Sequence, residues 1–221
     1  MKNTLLLVLL LACTTVLKAQ IPYYAPTVGN QKINAYTSVK CRPGINQQET
    51  YTTFQYGLGD HVAVGGDLYT ALNSSYWGAL LRYGTTLAPW LGVGGQLTPS
   101  FNLNNSFRFA YLTTALYLNG ALTRDRRLFW CSNTFWVLDD EAPDSYVNYE
   151  YLGYNVPCGR GTTLTPMVGA LHSWRFDQDV SLAAGCYLTR GPWCFYLWGN
   201  DFLQSHPRLV VGVEFTLSTN N

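Results

Sequence analysis

The chain has 221 residues, of which 48% are hydrophobic, 15% aromatic and 12% charged. Soluble proteins carry about 25% charged residues on average. So little charge with so many rings excludes a disordered chain. The formal net charge of +1, without a basic stripe, excludes a nucleic-acid-binding protein, which must neutralise phosphates.

The first segment of the chain has the pattern of an export signal. A single lysine precedes an apolar run at residues 5–12, which is too short to span a bilayer. A small residue, Ala19, stands before a suitable cleavage point. We therefore expect residues 1–19 to be a cleaved signal peptide and residues 20–221 to form one domain. The alternative is a lipoprotein signal with Cys13 as the lipidated first residue of the mature chain.

The rest of the sequence alternates with a period of two residues, which is typical of β-strands. Near the end of the chain, Val211, Val213 and Phe215 alternate with Gly212 and Glu214. No window shows an apolar stripe at helical spacing over three turns. The predicted strands lie near residues 31–40, 49–58, 61–72, 76–84, 90–98, 106–119, 127–137, 146–155, 163–174, 179–189, 192–199 and 208–217.

Two all-β architectures use such alternation, and they differ in which face meets water. A soluble sandwich or lipocalin-like barrel buries its bulky face, whereas a transmembrane barrel turns that face toward lipid. Here the second face holds mainly small residues with isolated charges, and glycine weakens a water-facing strand without gain. The pattern favours an antiparallel up-and-down transmembrane β-barrel of about twelve strands, with ten as the alternative, and with both chain ends in the periplasm.

The tryptophans are predicted to form the aromatic girdles that outer-membrane barrels carry at both interfaces. They lie near predicted strand ends, where an amphipathic ring can meet the headgroups. Tyr69, Tyr76, Phe107, Phe135 and Tyr146 are expected to join the outer ring. The predicted girdle consists of Trp77, Trp90, Trp130, Trp136, Trp174, Trp193 and Trp198.

Polar residues on the small face are the candidates for a functional site. Charges of both signs inside a narrow barrel can pair and plug it, or can line a path and select ions by sign. The spacing leaves both alternatives open. The candidates for lumen-facing residues are Asp67, Arg82, Gln96, Glu150 and Glu214.

These features resemble small outer-membrane β-barrel proteins of the kind common in Bacteroidota. The resemblance lies in the junction around Ala19, in the strands rich in tyrosine and glycine at residues 50–98, and in the closing strand that ends on Phe215. It implies location in the outer membrane, contact with its lipid, and insertion by the barrel-assembly machinery. The departure from the usual pattern is that six residues follow Phe215.

The sequence offers no catalytic or metal site. His172 and Ser173 are adjacent and so face opposite sides of a strand, which prevents the mutual contact that a nucleophile and its base need. Cys186 and Cys194 could oppose each other across a hairpin, although unpaired thiols are the simpler interpretation. We expect a non-enzyme without cofactor or metal: a narrow porin-like channel for small solutes, or alternatively a closed barrel with a structural, adhesive or partner-docking role.

Overall fold

The structure is a computed structural model that describes residues 27–45, 47–88, 90–140, 144–174 and 180–219, with the side chain of Trp174 excepted. The predicted signal peptide lies outside these residues. Thirteen antiparallel strands form one sheet. They are β1 (Lys32–Arg42), β2 (Gln47–Gly57), β3 (Val62–Ala71), β4 (Ser74–Ala88), β5 (Leu91–Asn102), β6 (Arg108–Ala121), β7 (Leu128–Asp139), β8 (Ser145–Tyr154), β9 (Val156–Gly159), β10 (Thr162–Trp174), β11 (Val180–Arg190), β12 (Trp193–Asn200) and β13 (Arg208–Ser218).

The sheet closes on itself as a barrel with twelve strand positions, each of which is called a stave below. Strand β1 pairs with β13, and β10 pairs with β11, so the sheet has no free side. Strands β8 and β9 are two pieces of one stave, because both pair with β10 and only Asn155 separates them. The predicted all-β fold with twelve strands is confirmed. Among the described residues, no helix is long and apolar enough to cross a membrane.

The connections differ between the two ends of the barrel. At one end, here called the turn end, the connections are residues 58–61, 89–90, 122–127, 160–161 and 191–192. At the opposite end, here called the loop end, successive strands are separated in the sequence by residues 43–46, 72–73, 103–107, 140–144, 175–179 and 201–207. Three of the connections at the turn end have only two residues, whereas four of those at the loop end have five or more.

The outer wall of the barrel is apolar. Phe54, Val168, Phe195 and Val211 each expose at least half of their side chains. In contrast, Glu214 is only 1% exposed. It lies three residues after Val211 and therefore points to the other face of the strand. Large apolar side chains therefore lie outside and polar side chains inside, which is the reverse of a soluble β protein and matches a barrel in lipid.

The segment before β1 packs against the turn end. Val28 is 2% exposed, and the amide of Gln31 donates to the carbonyl of Gly57. A side chain at Gly57 would overlap the carbonyl oxygen of Gly29 and touch Val28. The absence of a side chain at position 57 therefore allows this segment to lie across the base of the barrel.

We predict that Gly57→Ala detaches this segment, because the added Cβ and the backbone of Gly29 cannot occupy the same space. Limited proteolysis of the folded protein should then cut at residues 27–31 at least several times faster than in wild type. The matched control is Gly59→Ala, since a Cβ at Gly59 meets nothing within 4 Å. Equal cleavage rates for the two variants would contradict the packing described.

Candidate functional site: the barrel lumen

The barrel encloses a cavity of about 310 Å³ that extends from its middle to the loop end. Small-molecule sites have volumes of roughly 300–1,000 Å³, so this cavity is at the small end of that range. Ten tyrosines, Phe135 and Trp198 are twelve of the 27 residues that line it. The charged residues of the lining are Lys40, Asp67 and Arg208. The cavity is therefore aromatic, rich in hydroxyl groups and almost balanced in charge.

One wall of the cavity is a ladder of tyrosines on neighbouring strands. Tyr51 pairs with Tyr69, which in turn pairs with Tyr76 on the next strand. Ring centroids are 5.9 Å apart for Tyr36 and Tyr51, 6.1 Å for Tyr69 and Tyr76, and 5.2 Å for Tyr76 and Tyr111. These separations lie within the range over which aromatic pairs attract each other, so the ladder consists of two groups of contacting rings that adjoin where Tyr51 pairs in register with Tyr69.

The opposite wall is a second aromatic cluster. The ring of Trp198 lies 4.7 Å from that of Tyr151 and 5.7 Å from that of Tyr187, and Tyr187 lies 5.2 Å from Tyr196. A Cβ at Gly212 would overlap the ring of Tyr196. Glycines on the inward face thus provide the space that the rings occupy.

Below the cavity, toward the turn end, the lumen is filled by a polar layer. The amide nitrogen of Asn34 donates to the carboxylate of Glu214 at 2.5 Å and to the hydroxyl of Thr216 at 2.9 Å. Gln55 belongs to the same layer and, like Glu214 and Thr216, is 1% exposed. These side chains are almost completely enclosed by the barrel wall and by one another.

A cationic side chain lies between this layer and the cavity. The guanidinium carbon of Arg82 lies 4.2 Å from the ring centroid of Tyr117, close enough for a cation–π interaction. The hydroxyl of Tyr117 donates to Gln96 at 2.9 Å, and that of Thr53 donates to Asp67 at 2.7 Å. Arg82 is close enough to the carboxylates of Asp67 and Glu214 to interact with both electrostatically, so side chains of both signs lie in this part of the lumen.

Four of the five predicted lumen residues face the interior. Asp67, Arg82, Gln96 and Glu214 are all buried there. Glu150 differs from the prediction, because it is exposed on the outer wall. Its neighbours Tyr149 and Tyr151 line the cavity instead. Tyr149 and Tyr151 face inward although they are large, so assigning the bulky face to lipid placed Glu150 on the wrong side.

The predicted girdle is only partly supported by the placement of its tryptophans. Trp77, Trp90, Trp136 and Trp193 are exposed, and the side-chain nitrogen of Trp130 donates to the carbonyl of Trp90 near the turn end at 3.3 Å. Trp198 is a correction, because it is 6% exposed and lines the cavity. The side chain of Trp174 lies outside the described part of the chain.

Sequence reasoning missed most of the aromatic lining. Tyr69, Tyr76 and Phe135 were expected in the outer ring, yet all three line the cavity. The signal was available for Tyr69, because it lies two residues after Asp67 and therefore shares its face. Proximity to a strand end is thus weaker information than the face on which a residue lies.

Among the described residues, the cysteines predicted to lie opposite each other do not pair. Cys186 pairs in register with Leu197 and Cys194 with Thr189, so the two cysteines do not oppose each other. Both thiols are free. Across the residues that the structure describes, no group of three or more histidine, cysteine, aspartate or glutamate side chains could hold a metal ion.

Comparison with solved structures identifies porins with the same architecture. KdgM porin superposes with a TM-score of 0.61 at 9% sequence identity, covering 82% of this chain and 98% of that chain. KdgM porin in complex with disordered oligogalacturonate gives 0.59 at 10% identity, covering 83% and 98%. No family model and no curated protein matches the sequence. The chain therefore has the fold of an outer-membrane β-barrel, whereas the narrower likeness to Bacteroidota barrels stays an expectation.

We predict that Asn34→Ala destabilises the barrel by about 1–3 kcal/mol, because the buried Glu214 loses a hydrogen-bond donor. Urea unfolding of the protein refolded in lipid vesicles measures the loss. Asn105→Ala, in the exposed connection at residues 103–107, is the matched control and should change the free energy of unfolding little. If the two variants were equally stable, the polar layer would not depend on this contact.

Proposed function

We propose that the protein is a narrow porin-like channel of the outer membrane for small solutes. The observation that supports this most strongly is the cavity inside a closed barrel whose outer wall is apolar. The fold shared with KdgM porin agrees with it. In this proposal the cavity is the vestibule of the channel, and the polar layer around Glu214 is its narrow section.

Small, uncharged solutes that contain rings, such as sugars, fit the vestibule best. Tyrosine rings can stack on the apolar faces of such solutes, while their hydroxyls pair with the solute's polar groups. One KdgM structure holds oligogalacturonate, which is an acidic saccharide. Here Glu49 pairs in register with Lys40, and the carboxylate of Asp201 lies 3.9 Å from Arg208. Acidic residues thus offset both cations of the lining, which favours a neutral saccharide.

A closed barrel is the second candidate, and the packing of the polar layer favours it. Gln55, Glu214 and Thr216 are almost wholly buried there, and Val28 packs at the turn end. If this layer never opens, the cavity is a binding cup that faces the loop end. The protein would then have a structural, adhesive or partner-docking role rather than a transport role.

The membrane placement that we propose follows from the two ends. Short connections typically face the periplasm and longer ones the exterior, so the turn end would be periplasmic and the vestibule would open outward. Export by the signal peptide and insertion by the barrel-assembly machinery are parts of this proposal. Catalysis is not, since the structural neighbours are porins.

We predict that the purified protein conducts ions in a planar lipid bilayer and that Arg82→Ser at least doubles the single-channel conductance. The substitution removes the large cation beside Tyr117 and leaves the carboxylates of Asp67 and Glu214, so selectivity should shift toward cations. Arg190→Ser, which removes the same charge at an exposed position outside the cavity lining, should leave both quantities unchanged. Absence of current from wild type and from Arg82→Ser alike would support the closed barrel.

We also predict a preference among solutes of similar size. In liposome-swelling assays, neutral monosaccharides should enter faster than uronic acids or amino sugars, because the vestibule offers rings and hydroxyls with little net charge. Tyr69→Ser should reduce the advantage of the sugar over a small linear polyol. Faster entry of the uronic acid would contradict the proposed solute class.

A further inference from the structure

The outer wall carries a polar patch that extends from the middle of the barrel toward the loop end, formed by Ser132, Thr134, Asn148, Glu150 and His172 on three neighbouring staves. Ser132 pairs in register with Glu150 and Thr134 with Asn148, while His172 pairs with Asn148 from the other side. Residues directly opposite each other in a sheet point to the same face. All five side chains therefore belong to the outer wall, and this set is called the polar patch below.

The patch is internally ordered by hydrogen bonds. The hydroxyl of Ser132 donates to the carboxylate of Glu150 at 2.7 Å. The amide nitrogen of Asn148 donates to the hydroxyl of Thr134 at 2.8 Å and approaches that of Ser132 at 3.4 Å. Ser132 and Thr134 are buried beneath the other side chains, whereas Glu150 stays exposed.

Lipid is an unfavourable neighbour for this patch. Glu150 lies at the middle of β8, and exposed apolar residues on β8, β10 and β11, namely Leu152, Val168 and Leu182, surround it. Ionisable groups that face acyl chains destabilise a barrel most strongly near the midplane. Within the described chain, the only hydrogen bond to this carboxylate comes from Ser132. A second polar surface would therefore stabilise the patch, and lipid would not.

The patch is complementary to the same patch on a second copy of the chain, because it holds both a hydrogen-bond acceptor and a donor. It presents a carboxylate acceptor on Glu150 together with an N–H donor on His172, since an imidazole donates in either protonation state. A two-fold interface brings the same surface of each copy together, so an acceptor of one copy meets a donor of the other. Ala170 pairs in register with Glu150, and a small side chain there allows two walls to approach closely.

We propose that the polar patch is the contact surface of a homodimer in the membrane, in which Glu150 of each copy accepts a hydrogen bond from His172 of the other. The apolar residues around the patch form the rim of this interface. The proposal does not depend on the lumen being open, because it concerns only the outer wall.

The test is the mass of the full-length protein, refolded and held in lipid nanodiscs, measured by native mass spectrometry with the lipid removed in the gas phase. Wild type should be a dimer. Glu150→Leu and Ala170→Leu should each reduce the measured mass from that of a dimer to that of a monomer. The first removes the acceptor, and the second blocks close approach of the two walls. Both substitutions make the outer wall more apolar, so folding in lipid should not suffer. Heat-dependent gel migration checks this.

Leu197→Ala is the matched control, because Leu197 is 51% exposed on β12, away from the patch; this variant should remain a dimer. A monomeric wild type would overturn the proposal and leave the patch to lipid headgroups or another protein. A dimer that persists in both Glu150→Leu and Ala170→Leu would overturn it equally, since the contact would then lie elsewhere.

Discussion

The structure depends on a closed ladder of backbone hydrogen bonds. In a bilayer core no water is present to satisfy exposed N–H and C=O groups, so a sheet can cross only if it has no free side. The pairing of β1 with β13 and of β10 with β11 meets this requirement. Once the sheet is closed, each strand has one face toward lipid and one toward the lumen. The period of two in the sequence then decides what each face carries.

The interior depends on complementary sizes of side chains on neighbouring strands. Large rings occupy the inward positions of some strands, and glycines occupy the positions against which those rings lie. Gly185 faces the ring of Trp198, and Gly212 faces that of Tyr196, at distances that leave no room for a Cβ. A narrow barrel can hold so many rings only because of this arrangement. The remaining space is the cavity, whose lining presents mainly the rings and hydroxyl groups of tyrosine.

The architecture could be predicted from the sequence because alternation is a local property. The closing strand around Val211 and Glu214 shows it directly, and the structure buries Glu214 while exposing Val211. The inward positions of Asp67, Arg82 and Gln96 follow from the same rule. None of this required knowledge of which strands are neighbours.

What could not be predicted depends on neighbours across the sheet. Glu150 faces outward because the stave that carries it turns tyrosines inward, toward an aromatic cluster contributed by Tyr187 and Trp198 on β11 and β12. Trp198 is inside for the same reason, although its place near a strand end suggested a girdle. The pairing of Asn34 with Glu214 joins residues 180 positions apart. Only the register between β1 and β13 reveals such a contact.

The central claim is that the large apolar side chains of the wall face lipid and the polar side chains face the lumen. Quenching of tryptophan fluorescence by lipids with brominated acyl chains tests it most directly. Two variants would be compared in such bilayers, one retaining only Trp77 and the other only Trp198, with phenylalanine at the remaining tryptophan positions. The account predicts strong quenching of Trp77, which is exposed on the outer wall, and little quenching of Trp198, which is buried in the lumen. Equal quenching of the two, or stronger quenching of Trp198, would contradict it.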